Sequence, residues 1–268
     1  MEERVAFYER VVDSLIKPKT ASILICGGGM LDRIVFDKLG FSKVTLSNLD
    51  TRIKPIDYEP FEWKYENAEA LSFADNSFDY VVIHAAIHHA SLPHKVLCEM
   101  YRVARIGVLG IENRDSVTLR IFERLSLTQM YEHAAVYFND CQYGGLNNTD
   151  IPNFVYRWTE RELEKTIQTY APLFQHKYIY TYGTAFPCTP KLESRGRIKT
   201  IFLKVLRPAY QIFVKFFPKQ QNLFAFYIDK SNPEQELFPW LIQDENGNIR
   251  FNEKWGQQKY GQKSSSLI

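Results

Sequence analysis

Three consecutive glycines and one spaced aspartate are the first residues in this sequence whose types and spacing suit ligand chemistry. Gly27, Gly28 and Gly29 follow a short apolar run, and Asp50 ends the next apolar run, 21 residues after Gly29. Glycines at a strand-to-helix turn let the backbone approach a ligand closely, and the following helix N-terminus offers unpaired N–H groups. A carboxylate at the end of the next strand can accept both hydroxyls of a ribose. The pattern favours a nucleoside site over a tight turn that holds no ligand.

Histidines supply a second candidate chemistry. His84, His88 and His89 cluster at the end of a later apolar run, and His133 follows Glu132 in a long aromatic interval. The carboxyl ends of parallel strands form a binding crevice, so one of these side chains can act there as a general base. The alternative is that His88 and His89 only pack or face solvent and that His133 lies on a surface loop. No spacing typical of metal ligands stands out, so no metal site is predicted.

Alternating strands and helices must bring these residues together. A 3.6-residue apolar stripe predicts a helix over 2–17, which Pro18 ends. The other predicted elements of this half are strands over 22–26, 43–49, 61–65, 78–84 and 106–112 and helices over 30–39 and 93–104. Such alternation predicts a parallel sheet with helices on both faces.

The regular alternation ends near Asn113. Residues 114–158 are rich in aromatic residues and asparagine, and Thr159 begins a helix with Glu162 in a capping-box pattern. Two more strands are predicted over 175–183 and 223–229, with a basic segment between them. No periodicity is evident after Ser231.

The blocks from Asn67 to Val81 and from Glu99 to Val103 carry a family resemblance. They resemble the class I S-adenosylmethionine-dependent methyltransferases, specifically the type 11 small-molecule group. That group has approximately the pattern D-A-x-x-L-P-F-x-D-x-S-F-D-x-V and, after a strand, E-x-x-R-V-L. The matching positions here are Ala68, Leu71, Phe73, Asp75, Ser77, Phe78, Asp79, Val81, Glu99, Arg102 and Val103. The resemblance covers about residues 20–113.

The resemblance implies an α/β fold of the Rossmann-like methyltransferase type, with a doubly wound, mostly parallel seven-stranded sheet. We expect the S-adenosylmethionine-binding domain to comprise residues 1–113 and 159–230. A substrate lid is expected at 114–158, a basic amphipathic insertion before the last strand at 185–221, and a C-terminal tail at 231–268.

Roles for individual residues also follow from the resemblance. The implied cofactor-binding residues are Gly27, Gly28, Gly29, Asp50, Asn67, Ala68, Glu69 and His84. The glycines would border the methionine part of S-adenosylmethionine, Asp50 would hold the ribose, and Ala68 would present its N–H to the adenine. His84 would line the floor under the sulfonium. His88 and His133 are the candidate general bases.

Three positions depart from the family pattern. Ile25 stands where an acid is frequent, Leu31 replaces the third glycine, and Asn67 replaces an aspartate that accepts from the adenine amino group. An amide oxygen can still accept that bond. The alternative to an enzyme is therefore a non-catalytic, methyltransferase-like binding subunit. A dinucleotide-dependent dehydrogenase is disfavoured, because the third glycine of its motif is missing.

Composition limits the class of protein. The chain has 268 residues, of which 45% are hydrophobic and 24% charged, and this excludes a disordered chain. Its apolar runs are about half the ~20 residues that cross a bilayer. The four cysteines lie far apart, which suggests neither a zinc cage nor a disulfide framework. Without a secretory signal at the acidic N-terminus, a cytoplasmic protein is expected.

Charge is distributed unevenly. The net charge of +2 argues against a nucleic-acid partner, yet the stretch from Ser194 to Ile228 holds seven Lys and Arg residues and no acid. Residues 197–219 therefore suggest an interfacial helix that makes peripheral contact with an anionic membrane. The alternative is a helical insertion that packs on its own domain or at a homodimer interface, and Pro208 is expected to interrupt or kink it.

The expected reaction is methyl transfer to a hydroxyl, or less favourably an amine, of a small molecule or saccharide in glycan or natural-product biosynthesis. A sulfonium is already a strong electrophile, so alignment and exclusion of water contribute much of the rate. A missing catalytic triad is consequently no argument against catalysis.

Overall fold

The computed structural model describes residues 2–185, 197–231 and 237–261. Residues 186–196 of the predicted basic insertion, including Cys188 and Arg195, lie outside the described residues. So do 232–236 and 262–268 of the predicted tail.

Seven strands form one mixed sheet. They are β1 (Ser22–Cys26), β2 (Lys43–Asn48), β3 (Glu62–Tyr65), β4 (Phe78–His84), β5 (Ala104–Asn113), β6 (Lys177–Gly183) and β7 (Leu223–Asp229). The spatial order is β3-β2-β1-β4-β5-β7-β6, and β7 runs antiparallel to both of its neighbours. The predicted doubly wound sheet is confirmed. Its strand order reverses between β1 and β4, which is where open α/β sheets bind ligands.

The described helices are α1 (Glu2–Leu15), α2 (Met30–Lys38), α3 (Pro93–Val103), α4 (Val117–Arg124), α5 (His133–Tyr137), α6 (Glu160–Tyr170), α7 (Arg197–Phe216) and α8 (Glu253–Tyr260). Of these, α1 and α2 cover one face of the sheet, and α3 and α6 cover the other. Side chains alternate along a strand. Ile23 and Ile25 therefore pack in the cluster that contains α1 and α2, whereas Leu24 and Cys26 pack in the cluster that contains α3 and α6.

The segment between β5 and α6 is anchored at both of its ends to the sheet. Arg114 and Glu160 form a largely buried ion pair, with 2.7 Å between Nη2 and Oε2, and the Tyr182 hydroxyl donates to the same carboxylate. Burial alone raises the pKa of Glu160, but the hydrogen bonds from Arg114 and Tyr182 outweigh it and lower that pKa to about 2. The two ends of the predicted lid, 114–158, are therefore held together by the ion pair of Arg114 and Glu160.

α7 continues through Pro208, so the predicted interruption is wrong. Pro208 lies inside α7, and its side chain is exposed to solvent. Tyr210 and Val214 form the buried face of α7. No helix within 2–185, 197–231 and 237–261 is long and apolar enough to cross a membrane.

The tail contains structure that the sequence analysis missed. A hairpin of β8 (Leu241–Gln243) and β9 (Ile249–Phe251) precedes α8. Asp244 accepts backbone N–H groups of Asn246 and Asn248, and this sets the turn. Three-residue strands are too short for a hydrophobic period to show.

Candidate cofactor and acceptor site

A cavity of about 320 Å³ opens at the carboxyl ends of β1, β2 and β4, at the reversal of strand order. Its walls come from the turns after these strands and from the lid. The residues that line it include Gly27, Asn48, Asp50, Arg52, Asn67, Ala68, Ala85, Ala86, Ile87, His89, Asn139, Gly145, Asn147 and Asn148. This volume falls at the lower end of the range typical of small-molecule sites.

The glycine turn contributes one wall residue, Gly27. Its φ of +62° is left-handed, and a Cβ built there would lie 2.5 Å from the Cβ of Ala86. Gly28 does not line the cavity, since it packs against the side chains of Leu46 and Ile25. Gly29 is also absent from the wall, and its N–H is already donated to Asp32 at 2.8 Å as the cap of α2. The predicted roles of Gly28 and Gly29 therefore reduce to shaping the turn.

Asp50 reaches the cavity at the end of β2, as the spacing predicted. Its carboxylate accepts from the backbone N–H and the guanidinium of Arg52. These side-chain hydrogen bonds lower the pKa of Asp50 despite partial burial, so it is an anion at neutral pH. Arg52 also stacks on Tyr143 of the lid, with 4.0 Å from Cζ to the ring centroid. The ribose candidate is thereby linked to the lid.

Asn67 and Ala68 line the cavity in the turn after β3. The side-chain oxygen of Asn67 accepts from the N–H of Glu69 at 2.9 Å, which holds the turn closed. Glu69 itself does not line the cavity, contrary to its predicted role. Its carboxylate is buried and accepts from the N–H of Leu92 at 3.0 Å, and it therefore connects two turns.

His84 lies away from the cavity wall, so its predicted place on the floor is not observed. Side chains alternate along β4, and this turns His84 toward α1, where its ring stacks on Tyr8 at 4.1 Å. Its Nδ1 lies 3.7 Å from Asp32, which also accepts from the Tyr8 hydroxyl. The buried Nε2 has no hydrogen-bond partner among the described residues.

His88 is buried behind the cavity and does not line it. Its Nδ1 lies 2.7 Å from Glu112, a fully buried carboxylate, and its Nε2 lies 3.5 Å from Glu132 of the lid. Burial lowers the pKa of His88, but the two carboxylates outweigh burial and raise that pKa to about 10. A protonated imidazolium cannot accept a proton, so His88 on its own does not fit the predicted role of general base.

The predicted lid segment brings Glu132 to His89, which lines the cavity, and leaves His133 outside it. His89 lines the cavity, and its Nε2 lies 3.1 Å from Glu132. His133 begins α5 and packs beside Tyr131, with 6.1 Å between the ring centroids. It does not line the cavity, so its predicted role as a base has no support from its position.

Sequence reasoning missed several residues of this site. Arg52, Asn139 and Asn147 are surface-type residues with no signal of their own. Glu112 had a signal that was not used, because it is a carboxylate that closes an apolar strand and is 0% exposed. A buried charge needs a partner, so burial of Glu112 would have predicted a hydrogen-bonding or cationic partner, which the structure shows to be His88.

Comparison with known proteins agrees with this geometry. Residues 26–110 match the family described as a methyltransferase domain. The fold matches one chain of a complex between the Haloferax volcanii Trm112 methyltransferase activator and a protein assigned as a methyltransferase. In that match the TM-score is 0.52 and the identity 12%, over 85% of this chain and 91% of the other.

Residues 26–110 therefore match the methyltransferase-domain family, and the surrounding sheet has the fold of these proteins. The PH0226 protein from Pyrococcus horikoshii OT3 also shares the fold, with a TM-score of 0.50 and 13% identity over 85% of this chain and 90% of that one. The predicted family, fold and cofactor, S-adenosylmethionine, are confirmed.

Two curated relatives match this chain over short segments. One is a ubiquinone/menaquinone biosynthesis C-methyltransferase from Zymomonas mobilis, 30% identical over 102 residues, or 35% of this chain and 42% of the relative. The other is a demethylmenaquinone methyltransferase from Bacillus pumilus, 41% identical over 69 residues, or 26% and 30% of the two chains. The chain thus spans less than half the length of either relative.

Proposed function

We propose that this chain transfers the methyl group of S-adenosylmethionine to a hydroxyl oxygen of a small molecule bound under the lid. One observation carries the proposal. The cavity at the reversal of strand order is lined by Gly27, Asp50, Asn67 and Ala68, four of the eight residues assigned to the cofactor from sequence.

The groups in the cavity wall suit the parts of this cofactor. Gly27 leaves room that a Cβ would fill, Asp50 offers an anionic acceptor for ribose hydroxyls, and Asn67 and Ala68 suit the adenine edge. Two departures from the family pattern lie in the core, because Ile25 is fully buried and Leu31 packs against the α1–α2 cluster. Neither places a foreign group in the cavity.

When bound, the cofactor supplies an electrophilic methyl group on a sulfonium. The protein has to align the acceptor, exclude water and remove the hydroxyl proton. The pair His89–Glu132 is the group at the cavity edge suited to the last task, in place of the predicted His88 and His133. The lid side chains over the cavity, among them Asn139, Asn147 and Asn148, exclude water.

A saccharide or other polyhydroxylated acceptor suits this lid. Amide side chains both donate and accept hydrogen bonds, which matches hydroxyl groups. Asn139, Asn147 and Asn148 line the cavity. Each amide nitrogen donates one hydrogen bond within the protein, which leaves its second N–H for a ligand hydroxyl. The second candidate is methylation at carbon, which the name of the Zymomonas mobilis relative, a C-methyltransferase, favours. The acceptor carbon would then belong to a ring activated by a phenolic hydroxyl. Either acceptor has to lose a hydroxyl proton first.

A methyl-transfer assay tests the proposal. We would incubate the chain with S-adenosylmethionine tritiated at the methyl group and either a sugar glycoside or a hydroquinone, and locate the methyl group by mass spectrometry. We expect transfer to oxygen and a rate about 100-fold lower in Asp50→Asn, because two charge-assisted hydrogen bonds of about 1.5 kcal/mol each are weakened. Asp57→Asn, an exposed neighbour, is the matched control.

Other outcomes have defined meanings. Transfer to ring carbon alone would replace the oxygen assignment with the second candidate. Cofactor binding without transfer to any acceptor would contradict the enzyme and favour a non-catalytic binding subunit.

We further propose that the exposed side of α7 makes peripheral contact with an anionic membrane. Ile201, Val205, Ile212 and Phe216 fall within about 60° on the helix, opposite the buried Tyr210 and Val214, and are 54–77% exposed. Lys204 and Lys215 lie along one edge of this stripe, in a stretch without acids. An apolar stripe with a cationic edge complements anionic headgroups above acyl chains.

α4 carries an exposed apolar stripe of its own. Val117, Ile121 and Leu125 recur every fourth residue and are 46–60% exposed. The ring of Phe122 lies 5.7 Å from that of Tyr210, so α4 packs near the buried side of α7 and not on its exposed stripe.

Vesicle sedimentation tests the membrane contact. We expect binding to vesicles of phosphatidylglycerol and phosphatidylcholine, weak binding to phosphatidylcholine alone, and a more than tenfold loss in Val205→Glu/Phe216→Glu, since each side chain buries about 2 kcal/mol of apolar surface. Gln211→Glu, an exposed change on the same helix, is the control. Equal binding by all variants would contradict the proposal. If the wild-type chain is a dimer and the double variant is a monomer, the stripe forms a homodimer interface instead.

A further inference from the structure

Two histidines and a glutamate converge where the lid meets the turn after β4. The Nε2 of His88 lies 3.5 Å from Oε2 of Glu132, and the Nε2 of His89 lies 3.1 Å from the same oxygen. One ligand atom from each of the three residues lies within 4.8 Å of the other two. His88 and His89 are consecutive, and the fold brings Glu132 to them from more than 40 residues further along the chain.

Each histidine is held by its other ring nitrogen. The Nδ1 of His88 contacts the buried carboxylate of Glu112 at 2.7 Å, and the Nδ1 of His89 contacts the carbonyl oxygen of Gly145 at 3.3 Å. Both partners are acceptors, so each Nδ1 carries the proton. This arrangement directs both Nε2 atoms toward Glu132 and is the one that orients histidine ligands in metal sites.

We propose that His88, His89 and Glu132 bind a divalent transition-metal ion. Ligand bonds of about 2.0–2.2 Å place neighbouring ligand atoms roughly 3.0–3.5 Å apart, and two of the three separations already have these values. The remaining adjustment is small and falls on Glu132, whose side chain is 28% exposed and sits on the lid.

Two imidazoles and one carboxylate favour iron(II), zinc, cobalt or manganese over magnesium or calcium, which prefer oxygen ligands. Three protein ligands leave coordination positions open. Because His89 lines the cavity, these positions are accessible from it. The ion would lie between Nε2 of His88 and Glu132, while Nδ1 of His88 keeps its hydrogen bond to Glu112.

An ion here would also serve the proposed reaction, and this step alone rests on the proposed function. A hydroxyl bound to a divalent ion loses its proton more readily, because the ion stabilises the alkoxide. With the ion bound, His89 and Glu132 would be its ligands and would no longer act as the base. The acceptor oxygen would bind the ion, release its proton to solvent and attack the methyl carbon, while the sulfonium leaves as a neutral thioether. No further oxidant or reductant is needed.

The competing explanation is an ionic lock without metal, in which Glu132 fastens the lid to protonated His88. Cobalt(II) distinguishes the two. We would treat the full chain with EDTA, remove the chelator, and titrate cobalt(II) while recording its visible d–d absorption and the heat of binding.

We expect one tightly bound cobalt(II) per chain, displaced by zinc, with affinity at least 100-fold lower in Glu132→Gln. Glu162→Gln is the matched control, since Glu162 lies 3.7 Å from His94 in a second His–Glu pair. That variant should bind as the wild type does. Absent cobalt binding, or equal binding in Glu132→Gln, would overturn the proposal in favour of the ionic lock.

Titration of S-adenosylhomocysteine on the same EDTA-treated sample separates this inference from the proposed function. Cofactor binding without cobalt binding would remove the metal site alone. Cobalt binding without cofactor binding would keep the metal site and remove the proposed reaction. Circular dichroism of Glu132→Gln would verify that this variant is folded.

Discussion

Gly27→Ala should lose S-adenosylmethionine binding and about 2–5 kcal/mol of stability. The left-handed backbone at φ +62° adds about 1–2 kcal/mol for alanine, and overpacking adds about 1–3 kcal/mol more. The new Cβ would meet the Cβ of Ala86 at 2.5 Å. Since Gly27 and Ala86 both line the cavity, relief of the contact has to move its wall. Urea unfolding and calorimetric titration with the cofactor measure the two effects.

Gly40→Ala is the matched control for backbone strain. Gly40 has a φ of +78°, and a Cβ there meets nothing within 4 Å. We expect a loss of about 1–2 kcal/mol from the left-handed backbone and unchanged cofactor affinity. If both alanine variants behaved alike, the tight approach of Gly27 to the cavity wall would be refuted.

Arg102→Met should destabilise the chain by about 3 kcal/mol, because it leaves a half-buried carboxylate and two carbonyls without their donor. The guanidinium donates to the Glu99 carboxylate at 2.8 and 2.9 Å and to the carbonyls of Leu71 and Phe73. It also pairs with Asp75. These bonds hold the turn that continues from Asn67 and Ala68, so we also expect cofactor affinity to fall about tenfold.

Arg105→Met provides the comparison for this variant. Arg105 is 65% exposed and pairs with the largely buried Asp79, whose carboxylate also accepts from the N–H and the hydroxyl of Ser22. Because Ser22 keeps these bonds and the lost partner is exposed, we expect a loss of about 1 kcal/mol and unchanged cofactor binding. Unfolding curves and cofactor titrations of both methionine variants measure the difference. An Arg102→Met protein with wild-type affinity would show that the turn after β3 is held by other contacts.

The fold was predictable because each of its larger elements carries a local signal. Buried strands such as β4 read as apolar runs, and the capping pattern at Thr159 places the start of α6, where its hydroxyl accepts from the N–H of Glu162. The stretch between β2 and β3, which contains Pro55 and Pro60, forms one 3-10 turn, Pro55–Tyr58. The short hairpin of the tail has no such signal and was missed.

The site was only partly predictable, because it depends on which way side chains point at the ends of strands. His84, one residue before the bend, faces α1, whereas His89, five residues later, faces the cavity. Ala85 lies between them with a φ of +51°, an unusual conformation for alanine that redirects the chain. Spacing along the sequence does not contain this reversal.

The lid was the hardest part to foresee. Its residue types indicated a covering segment, but only the folded chain brings Glu132 to His88 and His89 and Arg52 to Tyr143. These contacts join positions separated by more than 40 residues. A single sequence holds no signal for such pairs, since propensity and periodicity describe near neighbours alone.

Calorimetric titration with S-adenosylmethionine and S-adenosylhomocysteine tests the central claim most directly. The titration would be made on the wild-type chain and on Asp50→Ala, with NADH as the comparison ligand. We expect one site per chain with micromolar affinity for both compounds, a large loss of affinity in Asp50→Ala, and no binding of NADH. No heat of binding at millimolar S-adenosylmethionine would contradict it.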